Sequence, residues 1–173
     1  MKRFYTLMAT AAFLCAGAFA QDNPFSTGTK TLYGMVKGNL IKAAEKMPEE
    51  NYSFKPTPEV RSFGEIVGHV ADAQYLFCGA AKGEQKTSNA EKTKKSKADL
   101  VAALKDGVAY CDSVYNSMTD ATGAEKAKFF GRDWARLTLL DFNVAHSNEH
   151  YGNFVTYLRL KGLVPPSSEN AGR

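Results

Sequence analysis

Apolar residues recur every three or four positions along almost all of the sequence after Gln21, which is the spacing of amphipathic helices. The pattern predicts four helices, over about residues 25–47, 62–79, 96–118 and 133–161. No run alternates between apolar and polar residues over more than a few positions, so we predict no β-sheet. Helices of this kind bury their apolar faces against one another, and the predicted fold is therefore an all-α four-helix bundle.

Residues that begin and end helices lie at the boundaries of these segments. Pro48 ends the first helix, and the S-x-x-E sequence from Ser62 to Glu65 has the form of a capping box that begins the second. Gly162 and the two prolines that follow it prevent the fourth helix from continuing. The boundary residues therefore agree with the periodicity.

The first 20 residues, 1–20, have the pattern of a signal peptide. A basic start (Lys2, Arg3) precedes an apolar stretch that ends in an A-x-A sequence, which predicts cleavage before Gln21. The stretch is short for a spanning helix, although an uncleaved anchor is the alternative. We expect an exported protein, periplasmic or extracellular, whose mature residues 21–173 form a single domain without stable membrane insertion.

The charge of the chain is too small to indicate a nucleic-acid partner. The formal net charge is +4 at pH 7, and removal of Lys2 and Arg3 with the leader reduces it to +2 (4 − 2). Binding to nucleic acid or to an anionic membrane needs a more basic surface, so we expect neither partner. Many lysines lie in the polar segment 82–97, which we interpret as a solvated loop between helices. A patch that recruits an acidic partner is the alternative.

The long connection between the second and third helices bears on their relative direction. It has about sixteen residues, far more than an antiparallel turn requires, so the chain has room to return and let the two helices run parallel. In a parallel pair Cys78 and Cys111 lie at matching heights and a disulfide is feasible, whereas in an antiparallel pair they are about 20 Å apart. Two buried free thiols are the alternative.

The chain contains three histidines, two of which lie four positions apart near its C-terminal end. On a helix, His146 and His150 project from one face about 6 Å apart and can direct nitrogens at one ion. A third ligand has to come from another helix, and His69 lies on or beside the buried face of the second. Three neutral histidines leave coordination positions open for water or substrate, as in a catalytic metal site. The alternative is that all three are ordinary core and surface residues.

Polar residues near the histidines are candidates for orienting an imidazole ring or a bound water. Glu65 lies about one turn before His69, and Asn153 lies three residues beyond His150 on about the same face. Glu65 also has a capping role, and Asp72, nearly one turn after His69, is expected to be solvated at the surface. We therefore predict Glu65 and Asn153 as residues that support the site.

Two segments, "SFGEIVGHVADAQ" and "FFGRDWARLTLLDFNVAHSNEHYGNFVTYLRLKGLVPP", resemble the DinB-like (DinB/YfiT-like) family of four-helix bundles. That family is related to the bacillithiol transferases and mycothiol-dependent isomerases, and the likeness extends over about residues 28–166. It implies that His69, His146 and His150 bind one divalent metal ion, commonly zinc or nickel. It also implies that the second and third helices run parallel, which in turn favours the disulfide.

The sequence departs from the family pattern around His150, the second histidine of the pair. Members often read H-x-x-H-H-R-G-Q, whereas this chain reads "HSNEHYGN". Glu149, Tyr151 and Asn153 thus replace the extra histidine, the arginine and the glutamine. The resemblance therefore implies the metal more directly than the reaction.

These observations favour a metalloprotein that catalyses metal-dependent hydrolysis or group transfer, including thiol transfer, on a small molecule. A non-catalytic bundle that binds a metal or a small ligand, with a stress-related or interaction role, is the second interpretation. A purely structural bundle with incidental histidines is the third. Homodimerisation is an expectation from fold analogy alone.

Overall fold

The computed structural model describes residues 22–169, so the leader predicted at residues 1–20 lies outside the described part of the chain. The elements are helices α1 (Pro24–Lys46), α2 (Phe63–Lys82), α3 (Ala90–Thr93), α4 (Lys97–Ser117), α5 (Asp120–Ala124) and α6 (Arg136–Leu160), strands β1 (Lys126–Phe129) and β2 (Arg132–Ala135), and two 3₁₀ turns, Glu49–Asn51 and Pro166–Ser168. None of the helices within 22–169 combines the length and the apolar character that crossing a bilayer requires.

The four long helices α1, α2, α4 and α6 correspond to the four predicted segments and pack as a bundle, which confirms the predicted fold class. Helices α2 and α4 run parallel, because their contacts advance along both helices together. Gly64 lies beside Leu100 near the two N-terminal ends, and Gly107 lies beside Ala71 two turns further on. The predicted parallel arrangement is therefore confirmed.

Helix α6 runs antiparallel to α2 and covers its inner face. Phe63, at the start of α2, packs against Phe154 near the end of α6, with the ring centroids 4.8 Å apart. Further along, His69 of α2 meets His146 of α6. The antiparallel pairing thus brings the histidines of both helices to one level of the bundle.

The second helix begins as its sequence predicts. The Ser62 hydroxyl accepts the backbone N–H of Glu65, and the Glu65 carboxylate accepts the backbone N–H of Ser62 at 2.6 Å, which completes the capping box. At its other end the chain turns through Gly83 with φ +83°, the left-handed conformation of a helix C-cap. These two caps define where α2 begins and ends.

Helices α2 and α4 approach so closely that one position of α4 admits only glycine. A Cβ atom on Gly107 would lie 2.9 Å from the carbonyl oxygen of Ala71 and 3.1 Å from Cβ of Gln74. The structure joins Cys78 to Cys111 as a disulfide at this contact, with the two Cα atoms 5.4 Å apart. Glycine has a low helix propensity, and the close packing of α2 against α4 offsets that loss of stability at Gly107.

The connection before α6 corrects the prediction that the chain has no sheet. Strands β1 and β2 form a two-stranded antiparallel hairpin. Its turn residues, Phe130 and Gly131, have φ values of 45° and 75°. Positive φ at both central residues is typical of the turns that join antiparallel strands through two residues. Trp134 Nε1 donates to the carbonyl oxygen of Phe129 at 3.1 Å. Strands of four residues are too short to produce a period-two pattern that a sequence would reveal.

Three fully buried polar side chains, Gln74, Asn143 and Ser147, lie in the apolar interior, and we call them the polar core. Asn143 Nδ2 donates to Gln74 Oε1 at 3.2 Å and to the Tyr115 hydroxyl at 3.2 Å. Gln74 Nε2 donates to the Ser147 hydroxyl at 3.3 Å. These hydrogen bonds link α2, α4 and α6 beside the disulfide.

Candidate metal centre

Three imidazole rings from two helices converge on one point. Helix α2 carries His69, and α6 carries His146 and His150 one turn apart. His146 Nε2 lies 3.1 Å from His69 Nε2 and 3.2 Å from His150 Nε2. One ligand nitrogen from each ring lies within 4.8 Å of the other two. The structure therefore brings together the three histidines that the sequence singles out, and we call them the histidine cluster.

The spacing of the nitrogens fits a metal ion. Two nitrogens bound to zinc at about 2.0–2.1 Å in tetrahedral geometry are about 3.3 Å apart. The two short separations in the histidine cluster, 3.1 and 3.2 Å, are close to that edge length. Imidazole nitrogens suit zinc, nickel, copper and iron, so the donor set fits a divalent transition metal without selecting one.

Burial keeps two of the rings neutral. Desolvation, with smaller contributions from the neighbouring imidazoles of His150 and His69, lowers the pKa of His146 to about 4. Desolvation likewise lowers the pKa of His150 to about 4, with a smaller contribution from His69. At pH 7 both rings are therefore uncharged, which is the form in which histidine offers a lone pair to a metal.

Glu91 determines the tautomer of His69. Its Oε2 lies 3.2 Å from His69 Nδ1, and because an ionised carboxylate only accepts hydrogen bonds, Nδ1 must carry the hydrogen. A neutral His69 then has its lone pair on Nε2, the atom that faces the other two rings. Carboxylates commonly hold metal-binding histidines in this way.

Glu91 is the site residue that sequence analysis missed. It lies in α3, inside the lysine-rich segment that we interpreted as a solvated loop. Its second oxygen accepts a hydrogen bond from Arg61 Nε at 2.8 Å. The one hint in the sequence is Ala90, the only apolar residue within 84–97, which is buried in the structure.

The outer nitrogens of the other two rings have different surroundings. Asn153 Nδ2 lies 3.2 Å from His150 Nδ1, so the predicted supporting residue touches a ring of the cluster. An amide turned by 180° presents Oδ1 instead, and only that oxygen accepts the Nδ1–H that a His150 bound through Nε2 carries. His146 Nδ1 is buried and has no hydrogen-bond partner within residues 22–169.

Glu65, the other predicted supporting residue, lies on the wall beside the cluster. Among the described residues its carboxylate contacts the backbone N–H of Ser62 and, at 3.2 Å, Lys55 Nζ. The hydrogen bond from Ser62 is the main reason that the pKa of Glu65 falls to about 2. Glu65 is therefore ionised, and it lines the same pocket as His150 and Asn153.

Two positions that depart from the family pattern also differ in their surroundings. Glu149 is exposed and lines the pocket beside His150. Tyr151 is buried, and its hydroxyl accepts the backbone N–H of Ser167 at 2.9 Å. Tyr151 therefore anchors the C-terminal segment, while Glu149 faces solvent near the cluster.

Two pockets reach the histidine cluster from different sides. The larger, which we call the polar pocket, has a volume of about 780 Å³ and is lined by His150, Asn153 and the charged residues Lys55, Glu59, Arg61, Glu65, Glu91 and Glu149, among others. The smaller, which we call the apolar pocket, has a volume of about 230 Å³ and is lined by His69 and His146 together with Asp72, Ala73, Leu76, Phe77, Thr87 and Ser88. A small molecule at the cluster can thus contact polar and apolar walls.

Sequence comparison identifies the family. The profile of the DinB superfamily matches residues 35–153, more than half of the chain, and the protein therefore belongs to the DinB superfamily. A relative, the uncharacterized protein YjoA of Bacillus subtilis (strain 168), is 25% identical over 122 residues, which cover 69% of this chain and 79% of YjoA. The resemblance seen in the sequence is confirmed.

Solved structures share the fold. A DinB-like protein from Bacillus cereus ATCC 10987 is similar with a TM-score of 0.71 at 18% identity, covering 81% of this chain and 95% of that one. The structure of YjoA is similar with a TM-score of 0.65 at 24% identity, covering 78% of this chain and 92% of YjoA. A mutant of the mycothiol-dependent maleylpyruvate isomerase is similar with a TM-score of 0.63 at 12% identity, covering 75% of this chain and 60% of that one. At these identities the likeness shows the fold alone.

Proposed function

We propose that this protein is an exported metalloprotein that binds one divalent ion, zinc or nickel, through His69, His146 and His150, and acts on a small molecule. The observation that supports it is the orientation of the His69 ring. Glu91 accepts the hydrogen on Nδ1, so the Nε2 lone pair points at His146 Nε2 from 3.1 Å. A cation held between these nitrogens makes such an arrangement favourable.

A divalent ion bound there supplies Lewis-acid polarisation of a carbonyl group and lowers the pKa of a bound water. The protein's own residues hold and orient the reactants. Neutral His146 and His150 offer lone pairs, and Asn153 orients His150. Charged side chains line one pocket, and Leu76 and Phe77 line the other. We infer a substrate with a polar, metal-binding group and a compact apolar group, which undergoes hydrolysis or group transfer.

The first experiment measures metal content per chain by plasma mass spectrometry, on protein purified without a histidine tag or chelator. We expect about one equivalent of a single metal in the parent protein and loss of that metal in His69→Ala and in His146→Ala. The exposed neighbour Glu149→Gln is the control and keeps the metal. A parent protein that binds neither zinc nor nickel after incubation contradicts the proposal.

The catalytic part of the proposal needs a separate test. Small esters, amides and thiol acceptors are screened with the metal-loaded protein, and any turnover is compared with that of metal-stripped His146→Ala. We expect activity in the first and none in the second. Turnover that survives both the substitution and the stripping excludes a metal-dependent reaction.

A non-catalytic binding protein is the second candidate, and one observation favours it. Two of the carboxylates that line the polar pocket are already paired, Glu65 with Lys55 and Glu91 with Arg61, so neither of these two is free to act as a general base. In that case the metal-loaded protein binds acetohydroxamate, a metal-chelating probe, by titration calorimetry but turns over no compound of the screen.

Export is also a proposal, which rests on the leader-like residues 1–20. N-terminal sequencing of the protein recovered from a bacterial periplasm should start at Gln21. A mature chain that still begins at Met1 and stays with the membrane fraction would identify the segment as an uncleaved anchor.

A further inference from the structure

The segment between α2 and α4 folds back onto α2 beside the histidine cluster. Helix α3 comes so close that a Cβ atom on Gly68 would lie 2.5 Å from Cα of Glu91 and 2.7 Å from its backbone nitrogen. Gly68 immediately precedes His69, so the backbone of Glu91 packs against the turn of α2 that carries a predicted ligand. Any larger side chain at Gly68 would push α3 away from this ligand.

Asp72 holds α3 in this position. Its two carboxylate oxygens accept the backbone N–H groups of Ala90 at 2.7 Å and of Glu91 at 3.1 Å. Asp72 lies three residues after His69 on the same helix. Its carboxylate therefore ties the backbone of Glu91 to the helix that bears the imidazole, across a loop of otherwise polar residues.

The Glu91 side chain completes the link. One oxygen contacts His69 Nδ1 at 3.2 Å, and the other accepts from Arg61 Nε at 2.8 Å. The backbone of Arg61 is itself held, because its carbonyl oxygen accepts the Tyr157 hydroxyl at 2.5 Å. Both oxygens of a half-buried carboxylate are thus engaged, which restricts the orientation of Glu91.

We propose that Asp72 and Glu91 are positioning residues for the metal ligand His69. Asp72 fixes the backbone of Glu91, and Glu91 fixes the His69 ring with hydrogen on Nδ1 and the lone pair of Nε2 directed into the histidine cluster. The inference rests on the proposed metal centre for its consequence, since outer partners of metal-binding histidines typically change metal affinity about 10- to 100-fold.

The first test measures zinc affinity by competition with a chromogenic chelator. We expect Glu91→Ala to weaken zinc binding about 10- to 100-fold. Glu91→Gln, which keeps an acceptor oxygen, should restore part of the loss, and Asp72→Asn should weaken binding in the same direction. Glu84→Gln, in the same loop but paired with Lys82 and Tyr110, is the matched control and should keep the parent affinity.

The second test does not depend on the metal. Nitrogen-15 NMR of the metal-free protein reports which ring nitrogen of His69 carries hydrogen. We expect Nδ1–H in the parent and in Glu84→Gln, and a shift of the population towards Nε2–H in Glu91→Ala. A merely structural role of Glu91 would lower the melting temperature without changing this tautomer.

The outcomes separate this inference from the proposed function. A parent protein with His69 as Nε2–H, or a Glu91→Ala variant with the parent's tautomer and zinc affinity, overturns the positioning role and leaves the metal centre intact. A parent that shows the Nδ1–H tautomer and its loss in Glu91→Ala, yet binds no metal, supports the positioning of His69 and contradicts the metal proposal.

Discussion

The polar core and the histidine cluster lie on the same two helices, yet they use polar side chains in opposite ways. In the polar core, side-chain donors meet acceptors: Asn143 Nδ2 points at Gln74 Oε1, and Gln74 Nε2 at the Ser147 hydroxyl, while Asn143 Oδ1 has no hydrogen-bond partner within residues 22–169. In the histidine cluster the Nε2 atoms of three rings face one another, and the His69 nitrogen among them is an acceptor. Complementary groups link the helices in the polar core, whereas the converging ring nitrogens of the histidine cluster create a place for a cation.

Removal of the disulfide next to the polar core should have the largest effect on stability. Cys78 and Cys111 close a loop of 33 residues, so replacing both with alanine should lower the free energy of unfolding by about 3–4 kcal/mol. Urea unfolding of the oxidised parent and the double variant measures the difference, and metal content should stay the same. A double variant as stable as the parent would mean that the bond does not form.

Metal removal should have the next largest effect and should depend only on the histidine cluster. Free zinc at about 100 times its dissociation constant adds about 2.7 kcal/mol to folded-state stability, or about 5–10 °C in melting temperature for a domain of this size. Differential scanning calorimetry with and without chelator measures the shift. In His150→Ala the shift should be much smaller; an undiminished shift would place the metal elsewhere.

Asn143→Ala should act on the polar core alone. It leaves the Tyr115 hydroxyl without a buried donor and leaves Gln74 Oε1 with only the longer 3.4 Å hydrogen bond from the Tyr33 hydroxyl, at a cost of about 2 kcal/mol in the free energy of unfolding. Its exposed neighbour on the same helix, Asn148→Ala, should change stability by less than about 0.5 kcal/mol. If Asn143→Ala weakens zinc binding as much as it lowers stability, the two regions are coupled and the contrast between them fails.

The smallest effect concerns the cap that begins α2. The folded-state pKa of Glu65 is lowered to about 2 from an ordinary value of 4.5. Its contribution is therefore fully present above pH 4.5 and is lost as the pH falls towards 2. Because the side chain is partly exposed, we expect less than about 1 kcal/mol. Glu65→Gln should flatten this part of the pH–stability curve; an unchanged curve would contradict the assignment.

The helices could be predicted because their signals are local. The apolar period, the Ser62–Glu65 capping box and the glycine after α6 each act within a few residues, and the structure has them where the sequence indicates. The hairpin β1–β2 was not predicted, because four-residue strands are too short to show a period-two alternation of apolar and polar residues. Glu91 escaped because its partner His69 lies 22 residues away, across a loop without periodicity.

The three histidines of the candidate site likewise combine a local feature, which the sequence predicts, with a long-range feature, which depends on packing. The separation of four residues between His146 and His150 places both on one face of any helix, so the sequence alone determines that pair. Whether His69 joins them depends on α6 running antiparallel to α2 in one particular register, a property of packing between distant segments. The meeting of Cys78 and Cys111 likewise depends on the parallel direction of α2 and α4.

The sequence by itself therefore determined the helical class of the protein, the start of α2, the end of α6 and the three histidines that offer metal ligands. Tertiary structure alone decided that their nitrogens converge, that Glu91 and Asn153 lie against the outer nitrogens of two rings, and that two pockets open beside them. The physical reason is range: helix periodicity and capping act over a few residues along the chain. Convergence of ligands requires close packing of side chains that are far apart in sequence.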